Sequence, residues 1–182
     1  MRNLWVTGYR SYELNVFSAQ DKKVQVIQYA LKNQLKAFLD EGLAWIITGG
    51  QMGIEQWTLA LADDLKHAYP ELRSAAMLPF ADFGSNWNEN NQQMLQTAIA
   101  TADFSEPISK QPYENPQQLR TYQAFMLEHT DGALLVYDPE FPGKTKYDYA
   151  AITKYQEQTD YGLTLIDMYA LEEAAQQLNE IQ

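Results

Sequence analysis

The sequence predicts a doubly wound α/β fold, with a mainly parallel sheet of about six strands and helices on both faces. Three observations carry that expectation. Short, almost wholly apolar runs such as residues 133–137 recur along the chain, as strands buried on both faces require. Between them lie segments with apolar residues three and four apart, the spacing of amphipathic helices. The 182 residues show no repeat, low-complexity tract or linker, so one domain spanning 1–182 is expected.

The elements follow in order. Residues 3–7 read as a first strand, closed by Gly8-Tyr9-Arg10, with a loop to about Ser18. Val24, Ile27, Leu31, Leu35 and Phe38 mark one helix face, which stops at Asp40-Glu41-Gly42, where glycine suits a left-handed cap. Residues 43–48 form the second strand, and 54–68 a helix with Trp57, Leu61 and Leu65 in register before Tyr69-Pro70. Residues 73–78 are a third strand, cut off by Pro79-Phe80. Asn86 followed by Glu89 resembles a capping box that opens a helix through Met94, Leu95 and Ile99. Residues 102–109 make a weaker fourth strand. Asn115-Pro116-Gln117-Gln118 is a helix start with Asn as cap and Pro at the first position, and that helix reaches Thr130. The strand 133–137, a helix over 147–158, the strand 163–166 and a helix over 169–179 complete the chain.

Composition narrows the function. Twenty-four acidic against thirteen basic side chains give a formal charge of −11, which repels polyanions and disfavours nucleic acid as a partner. The absence of cysteine excludes disulfides, thiolate metal sites and cysteine nucleophiles. No apolar run approaches a membrane span or a signal peptide, so a cytoplasmic protein is expected. His67 and His129 each stand near a helix end and belong to no metal or triad constellation, so no metal is expected. Aromatic richness leaves self-association or a protein partner open.

In a doubly wound fold ligands sit at the carboxyl ends of the strands. Residues just after strands therefore share one edge: Gly8, Tyr9 and Arg10; Gly49, Gly50, Gln51, Gly53 and Glu55; Pro79 and Phe80; and Asp138. Asp131-Gly132 precedes a strand and reads as a turn on the opposite edge. The stretch Thr48-Gly49-Gly50-Gln51-Met52-Gly53-Ile54-Glu55 carries a strand through glycines into a helix, an arrangement that exposes backbone N–H groups to an anion. It matches neither the G-x-G-x-x-G fingerprint nor the P-loop, which needs a lysine. Glu55 reads either as a first-turn acid that complements the helix dipole or as an acceptor for ribose hydroxyls. Arg10 reads as a phosphate clamp or as a solvated cation. Tyr9, Phe80, Trp87 and Tyr113 form either a stacking wall for a base or ordinary packing. Asp138-Pro139 is a turn signal that also supplies a spare acid.

Together with Leu78-Pro79-Phe80, Asn86-Trp87, Pro112-Tyr113-Glu114-Asn115-Pro116 and Tyr137-Asp138-Pro139-Glu140, these motifs resemble the YpsA family over nearly the whole chain. Those proteins are small, come from Gram-positive bacteria and belong to the SLOG superfamily of Rossmann-like folds, with DprA-type proteins and the phosphoribohydrolases once labelled lysine decarboxylases. The resemblance implies a nucleotide-type ligand loop at Gly49, Gly50, Gly53 and Glu55, with Gly8 and Arg10 opposite. The phosphoribohydrolase motif P-G-G-x-G-T-x-x-E is absent; residues 137–145 read Tyr-Asp-Pro-Glu-Phe-Pro-Gly-Lys-Thr. Thr145-Lys146-Tyr147 also stands where the family pattern has Ser-Pro-Lys-Tyr. The expectation is a binder or sensor of ADP-ribose, NAD or a nucleoside phosphate. The alternatives are a hydrolase of an N-glycosidic or phosphoribosyl bond, with Glu55 or Asp138 as its acid or base, and an interaction protein in cell division or stress response.

Overall fold

The structure, a computed structural model, describes all of residues 1–182. Its elements are β1 (Asn3–Gly8), a 3-10 turn (Ser11–Leu14), α1 (Lys22–Asp40), β2 (Trp45–Thr48), α2 (Ile54–Leu65), β3 (Arg73–Leu78), α3 (Glu89–Thr101), β4 (Phe104–Pro107), α4 (Gln117–Glu128), β5 (Gly132–Val136), α5 (Lys146–Gln156), β6 (Gly162–Ile166) and α6 (Met168–Ile181). All six strands form one sheet in the order β4-β3-β2-β1-β5-β6, and every pairing is parallel. This is the Rossmann-like, doubly wound α/β architecture expected.

The chain builds outward from β1 through β2 and β3 to β4, then crosses back to start β5 on the other side of β1. The strand order therefore reverses between β1 and β5, and a crevice opens above their carboxyl ends. The register there pairs Gly8 with Val136. Both central strands are buried along nearly their whole length, because α1 packs with α6 and α2, α2 with α3, and α4 with α5, so that helices cover both faces. Leu4, Val6, Leu134 and Leu135 are wholly buried between these layers, each contributing roughly 1.5–3 kcal/mol of apolar transfer.

Local chemistry explains most element ends. Asp21 caps α1 by accepting the N–H of Lys23, and Gly42 lies just past its end at φ +106°. Asn115 accepts the N–H of Gln117 while Gln118 accepts that of Asn115, which closes the start of α4 as the sequence implied. One cap differs from expectation. Asn88, not Asn86, caps α3, accepting the N–H of Asn91 at 2.8 Å. Trp87 is held back in a turn by its N–H bond to the Gly84 carbonyl and by Gln92 donating to its own carbonyl, so Asn86 stays in the loop. Strand β4 is shorter than 102–109, since Asp103 turns aside to accept the Ser74 N–H and pair with Lys66 at 2.9 Å.

Asp131 sits on the edge away from the crevice, as its position before β5 implied. Its Oδ2 accepts the N–H groups of Arg2 and Asn3, both at 2.9 Å, and fastens the start of β1 to that of β5. The bond from Asn3, more than any other influence, holds the Asp131 carboxyl below the usual carboxylate range. A depressed carboxyl adds stability above its ordinary range and loses it as pH falls through the depressed value. Asp131→Ala is therefore expected to lower unfolding free energy at neutral pH by about 1 kcal/mol, charge-assisted bonds being discounted for exposure. Urea titrations should show that gap narrowing in strong acid; a gap independent of pH would assign the effect elsewhere.

Candidate functional site

Above the carboxyl ends of β1, β2 and β3 lies a cavity of about 920 Å³, at the upper end of the range for small-molecule sites. Arg10 enters from the loop after β1, Gln51 and Glu55 from the glycine turn and α2, and Pro79 from the end of β3. The sequence placed these four on one edge, and the fold brings them together.

Glu55 is 5% exposed. A buried carboxylate requires hydrogen-bond partners, and it has two: the Thr7 hydroxyl donates to Oε2 at 2.7 Å and the Gln51 N–H to Oε1 at 2.9 Å. Helix α2 thus carries its own anion at its amino end. The side chain folds back over Gly49, where any Cβ would collide with its carboxylate; that is why this position is glycine. The remaining amides of the turn are open, since Gly50, Met52 and Gly53 donate no hydrogen bond within the protein.

Gly53 also has a structural role. It lies at φ +110° and forms an antiparallel bridge with Arg10, in which Ser11 donates to the Met52 carbonyl and Ile54 to that of Tyr9. A Cβ there would stand 2.5 Å from the Ser11 nitrogen and 2.6 Å from the Tyr9 oxygen. Its small size therefore lets the first loop reach the second and aim Arg10. Gly8 and Gly50 are likewise packed against protein: a Cβ on Gly8 would meet the Val136 carbonyl, and one on Gly50 the side chains of Leu95 and Leu78.

Arg10 is the central cation. Its Nε is buried with no partner, and its Nη1 makes only 3.4 Å contacts with the Gly8 carbonyl and the Thr145 hydroxyl. Glu13 braces the mouth, accepting the N–H of Arg10 at 2.7 Å through Oε1 and that of Lys144 at 2.9 Å through Oε2.

Three expected side chains lie elsewhere. Tyr9 is buried; its hydroxyl accepts the Asp138 N–H and donates to the Phe141 carbonyl, each at 2.9 Å. Burial pushes that phenol up to about 12, so it is a neutral peg for the loop after β5 and not a wall of the cavity. Asp138 accepts the N–H groups of Glu140 and Met168. It closes a turn and steadies the start of α6, away from the cavity lining. Phe80 faces an adjoining smaller cavity instead.

Sequence reasoning missed the opposite wall, which comes from α4 and α5. Arg120, Tyr122 and Gln123 face Lys144, Lys146 and Asp148. Helix α4 leaves from the end of β4, so its first turns lie on the ligand edge although they follow no motif. The Asp148 carboxyl accepts from the Gln123 amide at 2.8 Å. Loss of surrounding water is the largest influence on it, reinforced by Glu55 and opposed by Gln123 and Arg10, and pushes it up to about 6. Burial, helped by the charges of Glu55 and Asp148, drives the Tyr122 phenol well above its ordinary value. Arg10, Arg120, Lys144 and Lys146 take part in none of the three ion pairs of the structure. A protein of charge −11 thus gathers four cations outside any ion pair around one cavity, which Glu13, Glu55 and Asp148 also line.

A parallel sheet that reverses at β1/β5, with a glycine turn and a charged crevice above the reversal, defines a Rossmann-like fold. The particular group follows from comparison with known proteins. The YpsA family model, described as the YspA SLOG family, matches residues 4–171. A UPF0398 protein of Latilactobacillus sakei is 57% identical over 182 residues, covering all of this chain and 98% of the relative. UPF0398 proteins of Ligilactobacillus salivarius and Lactiplantibacillus plantarum are each 56% identical, over 98% and 100% of this chain and 97% and 96% of their own lengths. The chain belongs to the YpsA family of SLOG proteins. No helix of the structure is long and apolar enough to cross a membrane.

Two outcomes follow from the geometry. Gly53→Ala forces a side chain into a positive-φ site against backbone and should cost about 1–3 kcal/mol, read as a lowered urea midpoint. Asp148 has the opposite pH signature to Asp131. A raised carboxyl adds stability below its ordinary range and loses it as pH rises through about 6. Asp148→Asn should therefore stabilise the protein by about 1 kcal/mol at pH 7.5, discounted for the open cavity, and give no gain below pH ~4. Equal effects at both pH values would contradict the burial of this carboxyl.

Proposed function

We propose that this protein binds a nucleotide-derived ligand of the ADP-ribose, NAD or nucleoside phosphate type in the cavity between β1 and α4. The single observation behind this reading is a cavity where four cations outside any ion pair outnumber the three carboxylates Glu13, Glu55 and Asp148, in a protein that is acidic as a whole. A phosphate or diphosphate answers that charge. Because Glu55 already takes the Gln51 N–H, a phosphate belongs on the Arg10, Lys144 and Lys146 side of the cavity. Glu55, with lone pairs left on both oxygens, suits ribose hydroxyls.

The test is a thermal-shift panel of NAD, ADP-ribose, AMP, ATP and sugar phosphates. A ligand at 100 times its dissociation constant adds about 2.7 kcal/mol to the native state. At least one member should raise the melting temperature, Arg10→Gln should remove most of the shift, and added salt should weaken it. A panel with no shift overturns the reading.

One observation favours a second function, hydrolysis of an N-glycosidic bond. Asp148, raised to about 6, stands across the cavity from Glu55, so a potential proton donor and a carboxylate face the same space. Asp148 takes over the part that the sequence offered to Asp138. Under this reading, incubation with the same compounds releases free base or ribose 5-phosphate. Release should fall as pH rises above about 6 and vanish in Asp148→Asn; intact compounds after prolonged incubation eliminate it.

A further inference from the structure

A second cavity of about 500 Å³ adjoins the first, and the two share Gln51, Phe83 and Lys144 as common walls. Its lining differs in kind. Phe80, Phe83, Trp87 and Tyr113 are joined by three edge-to-face contacts: Phe80–Phe83 at 5.6 Å between ring centres, Phe80–Tyr113 at 5.2 Å and Phe83–Trp87 at 5.2 Å. In an edge-to-face pair the edge-on ring keeps both faces clear of its partner. Tyr113 is 44% exposed, much for an aromatic ring already held by a neighbour and by its own N–H bond to Asp82 Oδ1 at 3.1 Å.

Polar groups border the rings. Asp82 spends one carboxylate oxygen on the Tyr113 N–H, and its other forms no hydrogen bond in the protein. Asn86, left in the loop because Asn88 caps α3, lines the same cavity. The boundary with the larger cavity is marked by Lys144, whose Nζ lies 5.9 Å from the centre of the Tyr12 ring and makes no ion pair. Moving from the small cavity to the large one, the surface changes from aromatic rings with a free carboxylate and an amide, past an unpaired lysine, to the Arg10 and Lys146 side, with Glu55 beyond.

We propose that the smaller cavity is a base subsite, which takes an aminopurine on the exposed Tyr113 ring, braced by Phe80, while the attached diphosphate passes Lys144 into the larger cavity. The rings supply stacking, which any base accepts. Asp82 supplies an acceptor for an exocyclic amino group, and Asn86 supplies both a donor and an acceptor. This inference rests on reading the larger cavity as the anion and ribose site, and it narrows that ligand to one carrying a base, a diphosphate and a sugar.

Calorimetric titration with two probes separates the two claims. Ribose 5-phosphate has no base and reports on the larger cavity alone, whereas ADP-ribose reaches both. ADP-ribose should bind at least tenfold more tightly than ribose 5-phosphate. Tyr113→Ala, at an exposed position, should weaken ADP-ribose about tenfold, within the range of one base–aromatic stack, and leave ribose 5-phosphate unchanged. Phe80→Leu, which keeps the apolar volume but removes the ring, should do the same. If ribose 5-phosphate binds and neither substitution changes the affinity for ADP-ribose, the base subsite is overturned while the anion site stands. If neither probe binds at millimolar concentration, both fall.

Discussion

A buried carboxylate sets the terms for the carboxyl edge of this sheet. Glu55 leaves water on folding and is held by the Thr7 hydroxyl from β1 and the Gln51 amide from the glycine turn. Losing either partner would strand a polar group in a region of low dielectric. So the end of β1, the turn after β2 and the first turn of α2 are fixed with respect to one another. Gly49 has no room for a side chain because of this carboxylate. Asp148, on the facing helix, keeps its proton to a higher pH chiefly because it is withdrawn from water, and the Glu55 charge adds to that effect.

The second organising fact is where the protein leaves its positive charge. Elsewhere cations are used conventionally: Lys66 with Asp103, Lys110 with Glu106 and Lys32 with Asp64. Around the cavity they are not. Arg10 has a buried, unpartnered Nε and only long contacts at Nη1, a local cost that folding alone gives no reason to keep. Of the three buried side-chain atoms without a partner, those of Trp5 and Thr58 lie outside the cavity lining, and the Arg10 Nε is the one on its wall.

Most of the fold was legible in the sequence. Most strands were visible as apolar runs, β4 with its sequence FSEP least so, the first helices as periods of three and four, and glycine and proline marked several joins. The rule that ligands gather beyond strand ends picked out Arg10, Gln51, Glu55 and Pro79, all on the cavity wall. What sequence could not show depended on distance across the fold. Arg120, Tyr122 and Gln123 sit inside a helix pattern whose face cannot be assigned to a cavity until α4 is placed beside α5. Tyr9 and Asp138 follow strands as the rule asks, yet both turn their polar atoms toward the backbone of the loop after β5 and the start of α6. Being on the right edge does not determine which way a side chain faces.

The braces at the cavity mouth bear on how fast it exchanges its contents. Glu13 fastens the backbone of Arg10 to that of Lys144, and the Tyr9 hydroxyl pegs the loop after β5 at two points. These loops are therefore set before anything binds, and little ordering entropy is left to oppose association. For the ligand proposed above, such a rim would leave residence to the strength of the contacts, and occupancy would follow the surrounding concentration. Under that proposal the site would act as a gauge, in contrast to a trap.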